Sequence, residues 1–283
     1  MSAAPALARA SMRPTWRGGV AMALVMIVGI VAFGWPFLAT PKSQLGELGH
    51  GADASLLFVV VMGLLALVVL AELASGGMDA KTVAVLGVLA AAGGALRVLS
   101  AGTAGLEPMF FLLVVAGRAL GPVRGFLMGV LALLASAFLT AGIGPWTPFQ
   151  MLCCGWVAMG AAVLPEVSLR AERWLLAAYG LACGLAYGAV MNLWFWPFMG
   201  STAPTGAGFV PGAGAALNLQ HYAVFYLLTS LAWDLPRGIL TAVLTFVAAR
   251  PLLRALRRSV RTARFEAPVR FVEGSVTART PAP

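Results

Sequence analysis

Residues 125–165 and 174–233 contain no lysine, arginine, aspartate or glutamate. A soluble fold cannot absorb runs of that length, because its surface needs polar groups to meet water. Over 283 residues, 60% are hydrophobic and only 10% charged, whereas soluble domains carry about 25%. Disorder demands the opposite composition. A transmembrane β-barrel demands alternation over about ten residues, and these runs do not alternate. The fold class this predicts is all-α: a polytopic membrane helix bundle, each span drawing on about 20 apolar residues.

The chain divides into eight such segments. The first runs from Val20 to Ala39 and is too long for a cleaved leader, whose apolar region is about 7–15 residues. The second covers Ala54 to Ala71 and the third Thr82 to Leu96. Pro108 to Gly117 is short for a full span and reads as a half-inserted, tilted or charge-extended helix. The run 142–148 (Gly-Ile-Gly-Pro-Trp-Thr-Pro) cuts the uncharged stretch 125–165 into two helices, since paired glycine and proline break helices. A helix follows from Trp174 to about Pro197, then a Gly/Pro/Thr loop at 200–214. The last helix is predicted over about Gln220 to Arg250, with Asp234, Pro236 and Arg237 in its middle.

Net charge is +9. The basic residues lie in connecting loops and the C-terminal tail, so they predict membrane topology and not a nucleic-acid partner. With the N-terminus inside, Arg9, Arg13, Arg17, Lys81, Arg118, Arg124, Arg170, Arg173 and the tail all face the cytoplasm. Only Lys42 and Arg97 fall outside, as the positive-inside rule expects. Eight crossings return the C-terminus to the cytoplasm, which gives a multi-pass protein of the cell membrane with both termini inside.

No metalloprotease, serine-hydrolase or Walker A motif is present, so the chain does not itself hydrolyse ATP. His50 and His221 have no acidic or imidazole neighbour and read as interfacial. Cys153, Cys154 and Cys183 lie in apolar runs without metal spacing and read as small packing residues. Three features remain. Trp146, Trp194, Trp196 and Tyr222 fall at one predicted membrane face among the amides Gln150, Asn192, Asn218 and Gln220. They form either an interfacial aromatic belt or a stacking platform for a flat ligand. Asp234 and Arg237, three apart on one helix face, form an intramembrane ion pair, structural or functional; Arg97 and Glu107 are the other ionisable residues near that face. Gly87, Ala91 and Ala95 make a small-residue stripe, broadened by Ala84, Ala90 and Gly94, that lets a helix approach closely from within the bundle or from a partner.

The blocks 106–113 (Leu-Glu-Pro-Met-Phe-Phe-Leu-Leu), 116–118 (Ala-Gly-Arg), 121–125 (Gly-Pro-Val-Arg-Gly), 144–151 (Gly-Pro-Trp-Thr-Pro-Phe-Gln-Met) and 191–198 (Met-Asn-Leu-Trp-Phe-Trp-Pro-Phe) together resemble the substrate-binding S components of energy-coupling factor (ECF) vitamin transporters, in the form common in actinobacteria. The resemblance covers Lys81 to Arg258. It implies a six-helix substrate-binding core at 81–258, preceded by a basic cytoplasmic arm at 1–17 and a two-helix extension at 18–80, and followed by a cytoplasmic tail at 259–283. It implies capture of a vitamin or related micronutrient at the outer face. Its partners would be a scaffold transmembrane subunit and two ABC ATPases, which hydrolyse the ATP. No cofactor of its own is implied. The residues that converge at that outer face, Trp146, Gln150, Asn192, Trp194, Trp196, Tyr222, Arg97 and Glu107, are the candidate substrate site. Ala91 and Ala95 match the family's docking face, extended by Gly87. The middle block is similar to that of cobalamin-specific members, which places a corrinoid among the candidates beside pyrimidine and flavin vitamins. Two other classes stay open: a membrane-embedded enzyme acting on a lipid or isoprenoid, and a structural subunit of a membrane assembly.

Overall fold

The computed structural model describes residues 16–38, 50–74, 80–100, 105–199 and 202–262. The arm at 1–15, the polar residues 39–49 and the tail from 263 onward lie outside the described residues. Among the described residues there are nine α-helices and no strand. They are α1 (Trp16–Leu38), α2 (His50–Ala74), α3 (Ala80–Val98), α4 (Met109–Leu120), α5 (Pro122–Leu139), α6 (Thr147–Val163), α7 (Leu169–Phe195), α8 (Ala215–Thr229) and α9 (Leu231–Thr262), with a 3-10 turn at Trp196–Phe198. Among the described residues α3, α5, α7 and α9 are long and apolar enough to cross a membrane, while α4 and α6 are shorter apolar helices.

Close approach at small residues sets the direction of each helix. A Cβ on Gly93 of α3 would lie 2.9 Å from that of Ala132, and one on Gly94 would lie 3.1 Å from the Ser136 nitrogen. Helices α3 and α5 therefore run parallel. In α5 and α6, Gly125 faces Ala158 and Gly129 faces Cys154, an antiparallel order. In α7 and α9, Gly180 faces Thr241, Gly184 faces Gly238 and Gly188 faces Asp234, again antiparallel. The six helices α3, α4, α5, α6, α7 and α9 thus alternate in direction. One end of the bundle gathers the start of α6, the end of α7 and the start of α9, and is rich in aromatic residues. The other gathers the end of α4, the start of α7 and the end of α9, and is basic.

Helix α4 spans about 18 Å by its 1.5 Å rise, short of a hydrocarbon core about 30 Å thick. Its solution is burial: ten of its residues, from Met109 to Leu120, are shielded by neighbours. It ends at Gly121 (φ +88°), whose N–H returns to the Gly117 carbonyl, and Pro122 opens α5 in its first turn. A positive φ is inexpensive only for glycine, and proline at the first helical position loses no hydrogen bond. This pair makes the α4–α5 corner.

The sequence pattern predicts one helix over Gln220–Arg250; the structure breaks it at Ser230. The Ser230 carbonyl accepts from the N–H groups of Trp233 and Asp234, and its hydroxyl accepts from Asn192 Nδ2 at 2.5 Å. Helix α8 stops there and α9 begins. Asp234 consequently sits in the first turn of α9 and not mid-helix, where a carboxylate favours the positive end of the helix dipole. Both ends of α8 stay at the aromatic end: its entry loop packs on Trp196, and its exit joins α9 beside Asn192. It does not cross.

Helix α1 lies against the core with its last turns at the same end. Phe33 meets Phe149 edge-on at 5.0 Å and Phe37 stacks on Trp196 at 6.2 Å. Its Gly29 admits the Trp156 ring, whose indole N–H points at the Met26 sulfur at 2.9 Å.

At the basic end Arg118, 3% exposed, ties three elements together. Its Nε donates to Glu172 Oε1 at 2.9 Å, and its Nη1 and Nη2 donate to the carbonyls of Leu164 and Pro165 at 2.6 and 2.9 Å. Arg257 reaches the same carboxylate from α9 at 2.6 and 3.0 Å. Loop carbonyls left bare after α6 are thereby satisfied, which a membrane interior requires.

Candidate functional site

At the aromatic end the charged residues of the core converge. Arg237 Nε donates to Glu107 Oε2 at 2.7 Å, and its Nη1 donates to Asp234 Oδ1. One guanidinium thus lies between two carboxylates carried by different elements. The guanidinium carbon lies over the rings of Tyr187 and Phe110, 5.1 and 5.7 Å from their centroids, and these two rings meet edge to face at 4.7 Å. Cation–π contact is strongest where water is excluded, and Asp234 is only 2% exposed. Arg97 Nη1 donates to Ser136 Oγ at 2.9 Å, joining α3 to α5 at the same level.

Two glycines make room for this cluster. Gly105 (φ +83°) brings the 105–107 turn against the backbone of Trp233, and Gly188 leaves space for the Asp234 carboxylate. A Cβ at either position would overlap its neighbour.

The aromatic residues sort into two groups. Trp146, 40% exposed, meets Trp194 edge-on at 6.2 Å, and Phe149 packs on Trp194 at 5.8 Å. Gln150, half-buried, follows Trp146 in the first turn of α6, and its N–H bonds to the Trp146 carbonyl at 3.0 Å. Trp196 and Tyr222 belong instead to a closed apolar cluster with Phe225 and Ala207. The Trp196 indole N–H donates to the Ala207 carbonyl at 2.7 Å, and the Tyr222 hydroxyl donates to the Ala189 carbonyl. Buried indole and phenol groups take such partners, and here both polar ends are committed to the backbone. Asn192 is likewise committed to Ser230.

The loop before α8 is held in the same way. Asn218, 2% exposed, accepts from the Val210 N–H at 2.9 Å and donates back to its carbonyl at 3.0 Å. His221 Nδ1 lies 2.7 Å from the Gly208 carbonyl. Both residues fasten the loop. Among the described residues no three His, Cys, Asp or Glu come together to hold a metal.

The family model for the substrate-specific component of ECF transporters matches residues 81–249. The chain belongs to this family. No curated protein matches it, and no solved structure does. As an S component it is a multi-pass membrane transport subunit and not an enzyme.

In this S component the Gly87, Ala91 and Ala95 positions all lie on the exposed side of α3, and a Cβ on Gly87 would touch nothing within 4 Å. Ala90 and Gly94, which the sequence groups with that stripe, are buried with Leu86 and Gly93 on the face toward the bundle. Small residues serve both sides of this helix, so size alone does not tell one side from the other. Tyr187, Phe110 and Ser136 are site neighbours that the sequence does not single out. One signal for the α7–α9 contact is present in the chain, the repeat Gly180, Gly184, Gly188 at intervals of four.

Proposed function

We propose that this S component captures a vitamin-class micronutrient at the aromatic end of the bundle, between the Glu107–Arg237–Asp234 cluster and the Trp146–Trp194 pair. The observation that carries the reading is this three-residue charge cluster beside the Tyr187 and Phe110 rings, in which Asp234 and Arg237 are buried and Glu107 is half-buried. Tyr187 and Trp194 are seven apart and share one face of α7, so that face runs from the charges to half-buried Trp194 and, against it, exposed Trp146. Arg97 and Gln150 border the same region, while Asn192, Trp196 and Tyr222 shape it from behind. A corrinoid is the first candidate substrate, on the likeness of the middle block to cobalamin-specific members of the actinobacterial form.

The Lys and Arg distribution supports an outward aromatic end and cytoplasmic termini. The exposed Gly87/Ala91/Ala95 face supports docking of a scaffold subunit, with two ABC ATPases supplying the energy. Residues 81–258 form the substrate-binding core, and 18–80 an added pair of helices that covers it from α6 to α8. Native mass spectrometry of the protein purified from its own host membranes tests the substrate. A bound species of vitamin mass, displaced by added cobalamin, is expected. Protein that carries no small molecule and binds neither cobalamin nor a flavin would overturn the proposal.

A further inference from the structure

A second built site lies at the opposite end of the bundle. A cavity of about 250 Å³ opens between the first turns of α7 and the last third of α9. Arg170, Arg173, Arg250, Arg254 and Arg257 line it, with Glu172 as the single carboxylate. That carboxylate is already held by Arg118 and Arg257. Among the described residues no acidic group pairs with the other four arginines. The Arg173 Nε is buried and has no hydrogen-bond partner. Its guanidinium carbon lies over the rings of Phe246 and Trp174, 4.5 and 5.6 Å from their centroids. The first N–H groups of α7 add their own partial positive charge.

Four guanidinium groups without a counter-charge around a concave space call for an anion, and a guanidinium fork matches phosphate oxygens best. The surface beside the cavity says which phosphate. Val243, Val247, Arg250 and Arg254 follow one another at steps of four, three and four along α9, a single helix face. The first two are exposed apolar residues, and the second two line the cavity. Trp174, 62% exposed and packed at a tilt against Phe246 with centroids 4.4 Å apart, marks the junction. Apolar strip, tryptophan, arginine cavity is the order of tail, interface and headgroup in a lipid leaflet.

We infer that this cavity binds the phosphodiester headgroup of an anionic phospholipid in the leaflet at the basic end, with its acyl chains along Val243 and Val247. Bound there, the lipid links the start of α7 to the end of α9. Freed N–H donors of Arg173 gain acceptors, and the four positive charges gain a partner of opposite sign.

The test uses delipidated full-length protein titrated with phosphatidylglycerol or phosphatidylcholine and read by native mass spectrometry. Phosphatidylglycerol is expected to be retained preferentially. The double variant Arg170→Ala/Arg254→Ala, which leaves the Arg118–Glu172–Arg257 contacts intact, is expected to lose about ten- to thirtyfold of that retention while melting within a few degrees of wild type. Equal retention of the two lipids, or wild-type retention by the variant, would overturn the inference. Inorganic phosphate and glycerol 3-phosphate form the second arm. Neither is expected to displace the lipid at millimolar concentration; displacement by either would make this a free-phosphate site and refute the lipid assignment.

Discussion

Gly188 of α7 faces the carboxylate of Asp234 on α9 inside van der Waals distance of any Cβ placed there. The pair couples helix packing to the charge cluster, since the same contact that closes α7 on α9 positions Asp234 for Arg237.

Gly188→Ala is therefore expected to cost about 1–3 kcal/mol, the usual penalty of overpacking, and to displace Asp234. Thermal unfolding in detergent measures it. Gly87→Ala supplies the contrast. Its Cβ would meet nothing within 4 Å, and alanine is the better helix former by about 1 kcal/mol. The isolated protein with Gly87→Ala should melt at or slightly above the wild-type temperature.

Arg237→Met should be the most damaging change in the cluster. It leaves the Glu107 and Asp234 carboxylates without their cation in a water-poor site, and breaking a buried pair from one side costs about 3–5 kcal/mol. Asp234→Asn keeps a hydrogen-bond acceptor for Arg237 and should cost less. A larger loss of melting temperature in Asp234→Asn than in Arg237→Met would contradict the central role of the guanidinium.

Trp146→Ala tests the ligand side. The ring is part-exposed and touches Trp194 edge-on, a contact contributing about 0.5–1.5 kcal/mol. Expression and melting should change little, while retention of the co-purified ligand should fall by about tenfold. Unchanged retention would place the ligand elsewhere.

Ala91→Leu and Ala95→Leu test the docking face. Lipid tails give helices no hydrophobic reason to associate, so contact depends on close packing of small residues. Both positions are exposed. The variants should fold and hold ligand, yet fail to co-purify with a scaffold subunit. An intact complex carrying either leucine would remove this face from the interface.

The class of the protein was legible in residues 125–165 and 174–233, because the bilayer demands long uncharged runs and little else does. The corners at Gly121–Pro122 and in 142–148 were legible too, since glycine and proline act on their own backbone. Asp234 and Arg237 could be paired from their spacing, because a helix places residues three apart side by side. Glu107 could be placed near that face but not against Arg237. That contact exists only because the 105–107 turn, admitted by Gly105, is pressed onto the start of α9. The end of α8 was hidden for the same reason. Nothing in Gln220–Arg250 stops a helix at Ser230; the Asn192 amide, 38 residues away, binds its hydroxyl there. The four aromatic residues gathered at one membrane face divide by tertiary packing as well, Trp146 and Trp194 at the rim, Trp196 and Tyr222 sealed in the cluster with Ala207 and Phe225. Local geometry and solvent decide what a segment becomes; only the folded bundle decides which distant segment completes its hydrogen bonds.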